Sequence, residues 1–137
     1  MTSGFEHPRW YLDTSAALKF FVDEPEADAL EHAILANSPE LFSSLLLETE
    51  LRRAAARMDA IPQSDISEFL ESIELVALTQ AAFRLAGQLP GETLRSLDAL
   101  HLTAALLGGA TAIVTYDRRL QEAAAEAGLK ALAPGQT

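Results

Sequence analysis

Residues 9–21 read RWYLDTSAALKFF, and the fold is predicted from the pattern in this stretch. The apolar run Trp10–Leu12 predicts a buried strand over Arg9–Leu12, and apolar residues at helical spacing resume after Asp13. Asp, Thr and Ser side chains accept hydrogen bonds from the free amides at a helix start, so Asp13 taken alone is predicted to cap a helix. The alternative is that this carboxylate is the first part of a charged site.

The rest of the chain repeats the alternation of strand and helix. Such alternation implies right-handed crossovers and a mostly parallel sheet covered by helices on both faces. We therefore predict an α/β fold with a central sheet of about four to five strands. Further strands are predicted over 40–43, 74–78, 111–116 and 129–132, and helices over 15–22, 25–36, 45–58, 64–72, 80–89, 97–107 and 118–127.

Size and composition predict one globular domain spanning residues 1–137, because 49% of the residues are hydrophobic and 22% are charged. Cysteine is absent, which excludes disulfides and thiolate metal sites. The opening residues lack the basic start and apolar stretch of a signal peptide, and no apolar run approaches the roughly 20 residues that span a bilayer. We expect a cytoplasmic protein without membrane contact.

The formal net charge of −10 disfavours broad electrostatic binding to nucleic acid, because a polyanion is repelled at long range. Any chemistry on nucleic acid would therefore need a local basic strip or bound cations. The same charge favours basic protein partners.

A second acid, Asp117, follows the apolar strand predicted over 111–116 just as Asp13 follows the first strand. Ligands of open parallel sheets bind beyond the carboxyl ends of the strands, so both acids are predicted at the functional edge. Thr115 is expected on the same side of its strand as Asp117. A helix cap is again the simplest interpretation of Asp117 by itself.

The helix predicted over 97–107 is apolar almost all round, and it carries Asp98 and His101 on one face. An acid in an apolar helix is costly unless a neighbouring group compensates it. Asp98 is therefore either a first-turn cap or part of a site. His101 is predicted to be an internally bonded core histidine, because a single histidine seldom indicates a ligand.

The helix over 45–58 carries two glutamates beside its apolar stripe. Glu48 has Arg52 at i+4, which predicts a surface ion pair. Glu50 is aligned with Arg53 at i+3 and Arg57 at i+7. The periodicity alone does not choose between the two acids as site residues.

Four segments, YLDTSAALKFF, SSLLLETELRRA, SLDALHLTAALL and IVTYDRRL, resemble in order and spacing the signature segments of PIN-domain ribonucleases. The closest likeness is to the VapC-type toxins of bacterial toxin–antitoxin pairs, and it runs from about Tyr11 to Leu132. The resemblance implies a three-layer fold with a parallel sheet and an acidic site that binds magnesium or manganese. The family's acids fall on Asp13, Glu50, Asp98 and Asp117, and its supporting polar positions fall on Thr115 and Ser15.

The resemblance selects Glu50 over Glu48, because the family's glutamate directly precedes a Leu-x-Arg-Ala pattern. Four converging carboxylates repel one another, and Mg²⁺ would relieve this repulsion through the oxygen ligands it prefers. We hypothesise that one or two Mg²⁺ ions, or Mn²⁺ in their place, generate hydroxide from bound water and neutralise the scissile phosphate of RNA. Candidate phosphate contacts, each equally consistent with a solvated helix arginine, are Arg53, Arg57, Arg118 and Arg119.

Partners also follow from the resemblance: a small VapB-type antitoxin whose carboxyl-terminal arm covers the site, and a second copy of the chain in a homodimer. A receiver-like phosphotransfer module is the alternative from another class, because it too gathers acids at a parallel-sheet edge. Such modules usually have a pair of acids early in the chain and a lysine near the end of the last strands. Here the early pair is absent, and the only lysines are Lys19 and Lys130. A non-catalytic protein in which each Asp is only a cap leaves Glu50 and Asp98 without a role.

Overall fold

The computed structural model describes residues 7–137 and confirms the predicted α/β class. The predicted domain and the signal-peptide interpretation also cover residues 1–6, which lie outside the described part. Within the described range, five parallel strands form one sheet: β1 Arg9–Leu12, β2 Glu40–Ser44, β3 Glu74–Val76, β4 Ala112–Val114 and β5 Lys130–Leu132. Their order across the sheet is β3-β2-β1-β4-β5. The helices are α1 Thr14–Leu18, α2 Pro25–Asn37, α3 Leu45–Arg57, α4 Gln63–Glu71, α5 Gln80–Gly87, α6 Ser96–Leu107 and α7 Arg118–Glu126.

Strand β1 lies at the centre of the sheet, where both of its faces are covered. Tyr11 is opposite Phe42 of β2 and Ile113 of β4 in register, and these three side chains pack with α6 and α7 on one face. Trp10 and Leu12 alternate to the other face, against α1 and α2. Burial on both faces explains why this strand is apolar throughout its last three residues.

Several elements are shorter than predicted, and hydrogen bonds account for the endings of two of them, β4 and α1. Strand β4 stops at Val114 rather than Tyr116, because the amide of Tyr116 donates to Ser15 Oγ and that of Asp117 donates to Thr115 Oγ1. Helix α1 stops at Leu18, after which Lys19, Phe20 and Phe21 make tighter i→i−3 hydrogen bonds. Both changes occur where the chain forms the carboxyl edge of the sheet.

Arg9 fastens the opposite, amino-terminal edge of the sheet. Its Nη1 lies 2.9 Å from carboxylate oxygens of both Glu40 and Glu74, at the start of β2 and β3. Its Nε donates to the carbonyl of Gly108 at the end of α6, and its guanidinium carbon stands 3.8 Å from the centroid of the Phe42 ring. Arg9 therefore ties α6 to the sheet from the end remote from the acids.

No helix in the described range 7–137 has the length and apolar character needed to cross a bilayer.

Candidate active site

Asp13 follows β1 and is 5% exposed, with each carboxylate oxygen engaged. Its Oδ1 accepts hydrogen bonds from the amide of Ala16 at 2.9 Å and from Ser15 Oγ at 2.7 Å. Its Oδ2 accepts a hydrogen bond from Thr115 Oγ1 at 2.5 Å. The predicted cap is therefore present, and one oxygen performs it while the other points to the neighbouring strand end.

Burial raises the pKa of Asp13, although the hydrogen bonds from Thr115, Ser15 and Ala16 act in the opposite direction. Desolvation disfavours the charged carboxylate, while the three donors stabilise it. Ionisation of the Asp13 carboxyl therefore costs free energy unless a positive charge lies nearby.

Thr115 and Ser15 link the two strand-end acids. Thr115 Oγ1 donates to Asp13 and accepts the amide of Asp117 at 3.1 Å, and Ser15 Oγ accepts the amide of Tyr116 at 2.9 Å. Asp117 caps α7 as predicted, because its Oδ1 accepts the amide of Arg119 at 2.9 Å. The hydroxyl of one threonine thus joins the Asp13 carboxylate to the backbone of Asp117.

Asp98 lies in the first turn of α6, where its negative charge is favoured by the helix amides. Its Oδ2 is buried and finds no hydrogen-bond partner among residues 7–137. Burial raises the pKa of Asp98, the charges of Asp117 and Asp13 raise it further, and His101 partly opposes them. The negative charges of Asp117 and Asp13 therefore act on the Asp98 carboxyl.

Glu50 and Glu48 have separate surroundings on α3. The predicted ion pair of Glu48 with Arg52 is present, at 3.1 Å between Oε2 and Nε. Glu50 Oε1 accepts a hydrogen bond from Thr14 Oγ1 at 2.7 Å and lies 2.5 Å from His101 Nε2. Burial would raise the pKa of Glu50, but the hydrogen bond and charge of His101 and the hydroxyl of Thr14 lower it overall.

His101 is the internally bonded core histidine that the sequence predicts, since Tyr11 Oη occupies its other nitrogen, Nδ1, at 2.7 Å. Its contact with Glu50 was not predicted, and neither was the role of Thr14. The i, i+3 spacing from Asp98 to His101 is the signal that placed them on one face, but it does not reveal which helix that face meets. Local spacing gives no information on the partner 51 residues away.

Arginine side chains do not neutralise these acids. Within the described part of the chain, no Lys or Arg forms an ion pair with Asp13, Glu50, Asp98 or Asp117. The candidate phosphate-binding arginines are all exposed, at positions Arg53, Arg57, Arg118 and Arg119. One of them, Arg118, is engaged through Nη2 with the backbone oxygen of Thr137.

The acids do not form a closed cage for a metal. Among residues 7–137, no three His, Asp or Glu side chains converge closely enough to enclose an ion by themselves. The buried, unpartnered oxygen of Asp98 and the raised pKa values of Asp13 and Asp98 nevertheless fit an ion such as Mg²⁺. Mg²⁺ binds through one or two carboxylates and keeps several of its waters, so it does not require a protein cage.

A parallel sheet with acids at its carboxyl edge is the arrangement of the PIN domain, and residues 10–126 match that family. The chain belongs to the PIN-domain family. Relatives in Mycobacterium tuberculosis place it among the VapC-type members. It is 37% identical to Ribonuclease VapC47 (strain CDC 1551 / Oshkosh) over 91% of this chain and 96% of that protein. It is 38% identical to Ribonuclease VapC35 of the same strain, over 92% of this chain and 97% of that protein.

The fold also resembles a solved structure described as a toxin-antitoxin complex from Klebsiella pneumoniae. The TM-score is 0.64, over 81% of this chain and 88% of that chain, at 20% sequence identity. At this identity the likeness establishes the fold alone.

Proposed function

We propose that this chain is a single PIN domain, residues 1–137, acting as a divalent-metal-dependent endoribonuclease toxin. The observation that carries the proposal is the buried, unpartnered Oδ2 of Asp98 in the shared field of Asp13 and Asp117. Relatives named as ribonucleases across more than nine-tenths of their length support the substrate class. They also favour hydrolysis of RNA over the receiver-like alternative.

Asp13 and Asp98, with Glu50 and Asp117 directly or through water, would hold Mg²⁺ or Mn²⁺. When bound, the ion supplies Lewis acidity that lowers the pKa of water and offsets negative charge on the scissile phosphate. Thr115 and Ser15 orient Asp13 through their hydroxyls, and the hydroxyl of Thr14 donates to Glu50. The protein thereby fixes its carboxylates before substrate arrives, which limits reorganisation during the reaction.

RNA contacts must overcome the repulsion between the phosphate backbone and a chain of charge −10. The exposed arginines on α3 and α7 are the proposed phosphate contacts, because they flank Glu50 and Asp117 in the chain: Arg53, Arg57, Arg118 and Arg119. Their number is small, so binding through them and the metal is expected to be weak and sensitive to salt.

A VapB-type antitoxin is the proposed regulator, and a homodimer in the cytoplasm is the proposed working state of the toxin. No Lys or Arg among residues 7–137 forms an ion pair with the four acids, which leaves room for a basic side chain of the antitoxin. Overall charge complementarity would speed the association of a basic partner with this acidic chain.

The test is cleavage of total RNA by purified protein with Mg²⁺ or Mn²⁺, with and without chelator. Asp13→Ala should abolish cleavage, while Asp59→Ala, a matched change at an exposed aspartate, should leave it intact. Cleavage that persists both in chelator and in Asp13→Ala overturns the mechanism. The pair on α3 gives a second comparison, in which Glu50→Gln loses activity and Glu48→Gln keeps it.

A further inference from the structure

A chain of buried side chains from three other elements holds Glu50. His101 of α6 reaches Glu50 Oε1 through Nε2 at 2.5 Å, and its Nδ1 lies 2.7 Å from Tyr11 Oη on β1. Tyr11 Oη in turn lies 2.9 Å from Ser44 Oγ at the end of β2. Tyr11 and Ser44 are fully buried and His101 is 3% exposed, so the imidazole is fixed at both nitrogens within the core.

The two donors to Glu50 meet at the same oxygen. Thr14 Oγ1 donates to Oε1 at 2.7 Å, beside the contact from His101 Nε2. An ionised carboxylate only accepts hydrogen bonds, so the proton of the His101 contact belongs to the ring. Oε2 receives no side-chain hydrogen bond from within residues 7–137. One oxygen is thus fixed and the other remains available.

Helix α6 contacts two of the four acids: it carries Asp98, and its His101 contacts Glu50. Asp98 and His101 occupy i and i+3 of the same helix face, so a displacement of α6 moves both side chains together. Asp98 contributes its own carboxylate, and His101 acts on that of Glu50, which belongs to α3. The histidine therefore couples the position of Glu50 to the helix that carries Asp98.

We propose that His101, itself fixed by Tyr11, is a positioning residue that orients Glu50 for the reaction given under Proposed function, on which this inference rests. A glutamate has three side-chain torsions, and the Glu50 side chain is 25% exposed, so without this contact its carboxylate would populate several rotamers. Residues behind a metal ligand fix its orientation in this way, and their loss weakens metal affinity and activity.

The test is a double-mutant cycle of His101→Leu with Glu50→Gln, read by Mn²⁺ calorimetry and by kcat and KM on an oligonucleotide spanning a cleavage site mapped in total RNA. His101→Leu should lower Mn²⁺ affinity about 10-fold and kcat about 10- to 100-fold, with KM for RNA little changed. In the Glu50→Gln background, His101→Leu should have no further effect on Mn²⁺ affinity, because the residue it acts through is already altered.

Conservative variants separate positioning from folding. His101→Gln retains an amide that can donate to Glu50, and it should restore most of the Mn²⁺ affinity and kcat. Tyr11→Phe removes the support of Nδ1 and should reproduce part of the loss. Thr103→Val is the control, because Thr103 is equally buried on α6 and its Oγ1 has no hydrogen-bond partner among the described residues. Thermal unfolding of each variant establishes that the protein compared is folded.

The inference is overturned if folded His101→Leu has the Mn²⁺ affinity and kcat of wild type. It is also overturned if His101→Leu lowers Mn²⁺ affinity by the same factor in the Glu50→Gln background as in wild type. If His101→Leu fails to fold, two other comparisons replace it. The inference is then overturned if Tyr11→Phe has the Mn²⁺ affinity and kcat of wild type and His101→Gln is no better in either measurement than His101→Asn. A wild type that cleaves no RNA but binds Mn²⁺ in a His101-dependent way refutes the proposed function and keeps the positioning role. A wild type that does neither overturns both.

Discussion

Thr115 Oγ1 donates a hydrogen bond to Asp13 Oδ2 at 2.5 Å, across 102 residues of chain. The same hydroxyl accepts the amide of Asp117, so one atom connects the carboxyl ends of β1 and β4. Backbone pairing of these neighbouring strands brings the residues together, and the hydroxyl then joins the Asp13 carboxylate to the backbone of Asp117.

Thr115→Val removes this connection at nearly constant volume. We expect cleavage to fall about 10- to 100-fold, because the hydroxyl that orients Asp13, a proposed metal ligand, is lost. Stability should fall by about 1–3 kcal/mol, because the buried Asp13 Oδ2 and the partly buried amide of Asp117 lose their partner. Thr115→Ser keeps the hydroxyl and should restore most of the rate. Cleavage assays and urea unfolding measure the two effects, and equal rates for the Val and Ser variants would contradict the assigned role.

The raised pKa values of Asp13 and Asp98 predict that metal-free protein loses stability as pH rises. Their pKa is about 3.8 in the unfolded chain and higher in the folded state, so the folded state binds more protons above that value. This contribution to stability is complete below pH 3.8 and is lost as pH passes the folded pKa. In chelator, Asp13→Asn should therefore lose less stability than wild type as pH rises, because the variant has no carboxyl to ionise at this position. Melting curves from pH 4 to pH 8 test this, and an equal fall in melting temperature for the two proteins would refute it.

Metal binding should reverse that deficit. Mg²⁺ or Mn²⁺ at 100 times its Kd would stabilise wild type by about 2.7 kcal/mol, because the ion binds the folded state only. The same addition should leave Asp13→Asn and Asp98→Asn unchanged, and Asp59→Asn should respond as wild type does. Thermal unfolding with stepwise additions of metal to chelator-treated protein gives the measurement. An equal shift in all four proteins would show that the ion binds elsewhere.

That Asp13 and Asp117 follow strands of the sheet was predictable from local pattern, although β4 ends at Val114 and not at Tyr116, whereas the contacts that assemble the site were not. Asp13 and Asp117 each follow an apolar run, and parallel strands place such residues at one edge. The choice of Glu50 over Glu48 depends on which side of α3 meets α6, and periodicity leaves both at the margin of the apolar stripe. The contact of His101 with Tyr11 spans 90 residues, so only the packed fold reveals it.

Arg9→Met should affect stability without affecting chemistry. The variant loses the hydrogen bond to the Gly108 carbonyl and two ion pairs, which are partly exposed and therefore contribute little each. We expect a loss of about 1–2 kcal/mol in the free energy of unfolding and an unchanged kcat, since Arg9 lies at the amino-terminal edge of the sheet. Arg84→Met, at an exposed position of α5, should be neutral in both measurements. A kcat loss in folded Arg9→Met would mean that the two edges are coupled.

Two glycine-to-alanine changes should have opposite signs. A Cβ at Gly108 would lie 2.5 Å from Phe42 Cε2 and 2.9 Å from the Ala104 carbonyl, so either the ring or the end of α6 must move. Such overpacking costs typically about 1–3 kcal/mol. A Cβ at Gly87, in the last turn of α5, meets nothing within 4 Å. Gly87→Ala should therefore stabilise the protein by up to about 1 kcal/mol, because alanine loses less backbone entropy on folding. Urea midpoints measured side by side decide the matter: a gain at Gly108 or a loss at Gly87 would show that the packing of α5 and α6 differs from the structure described.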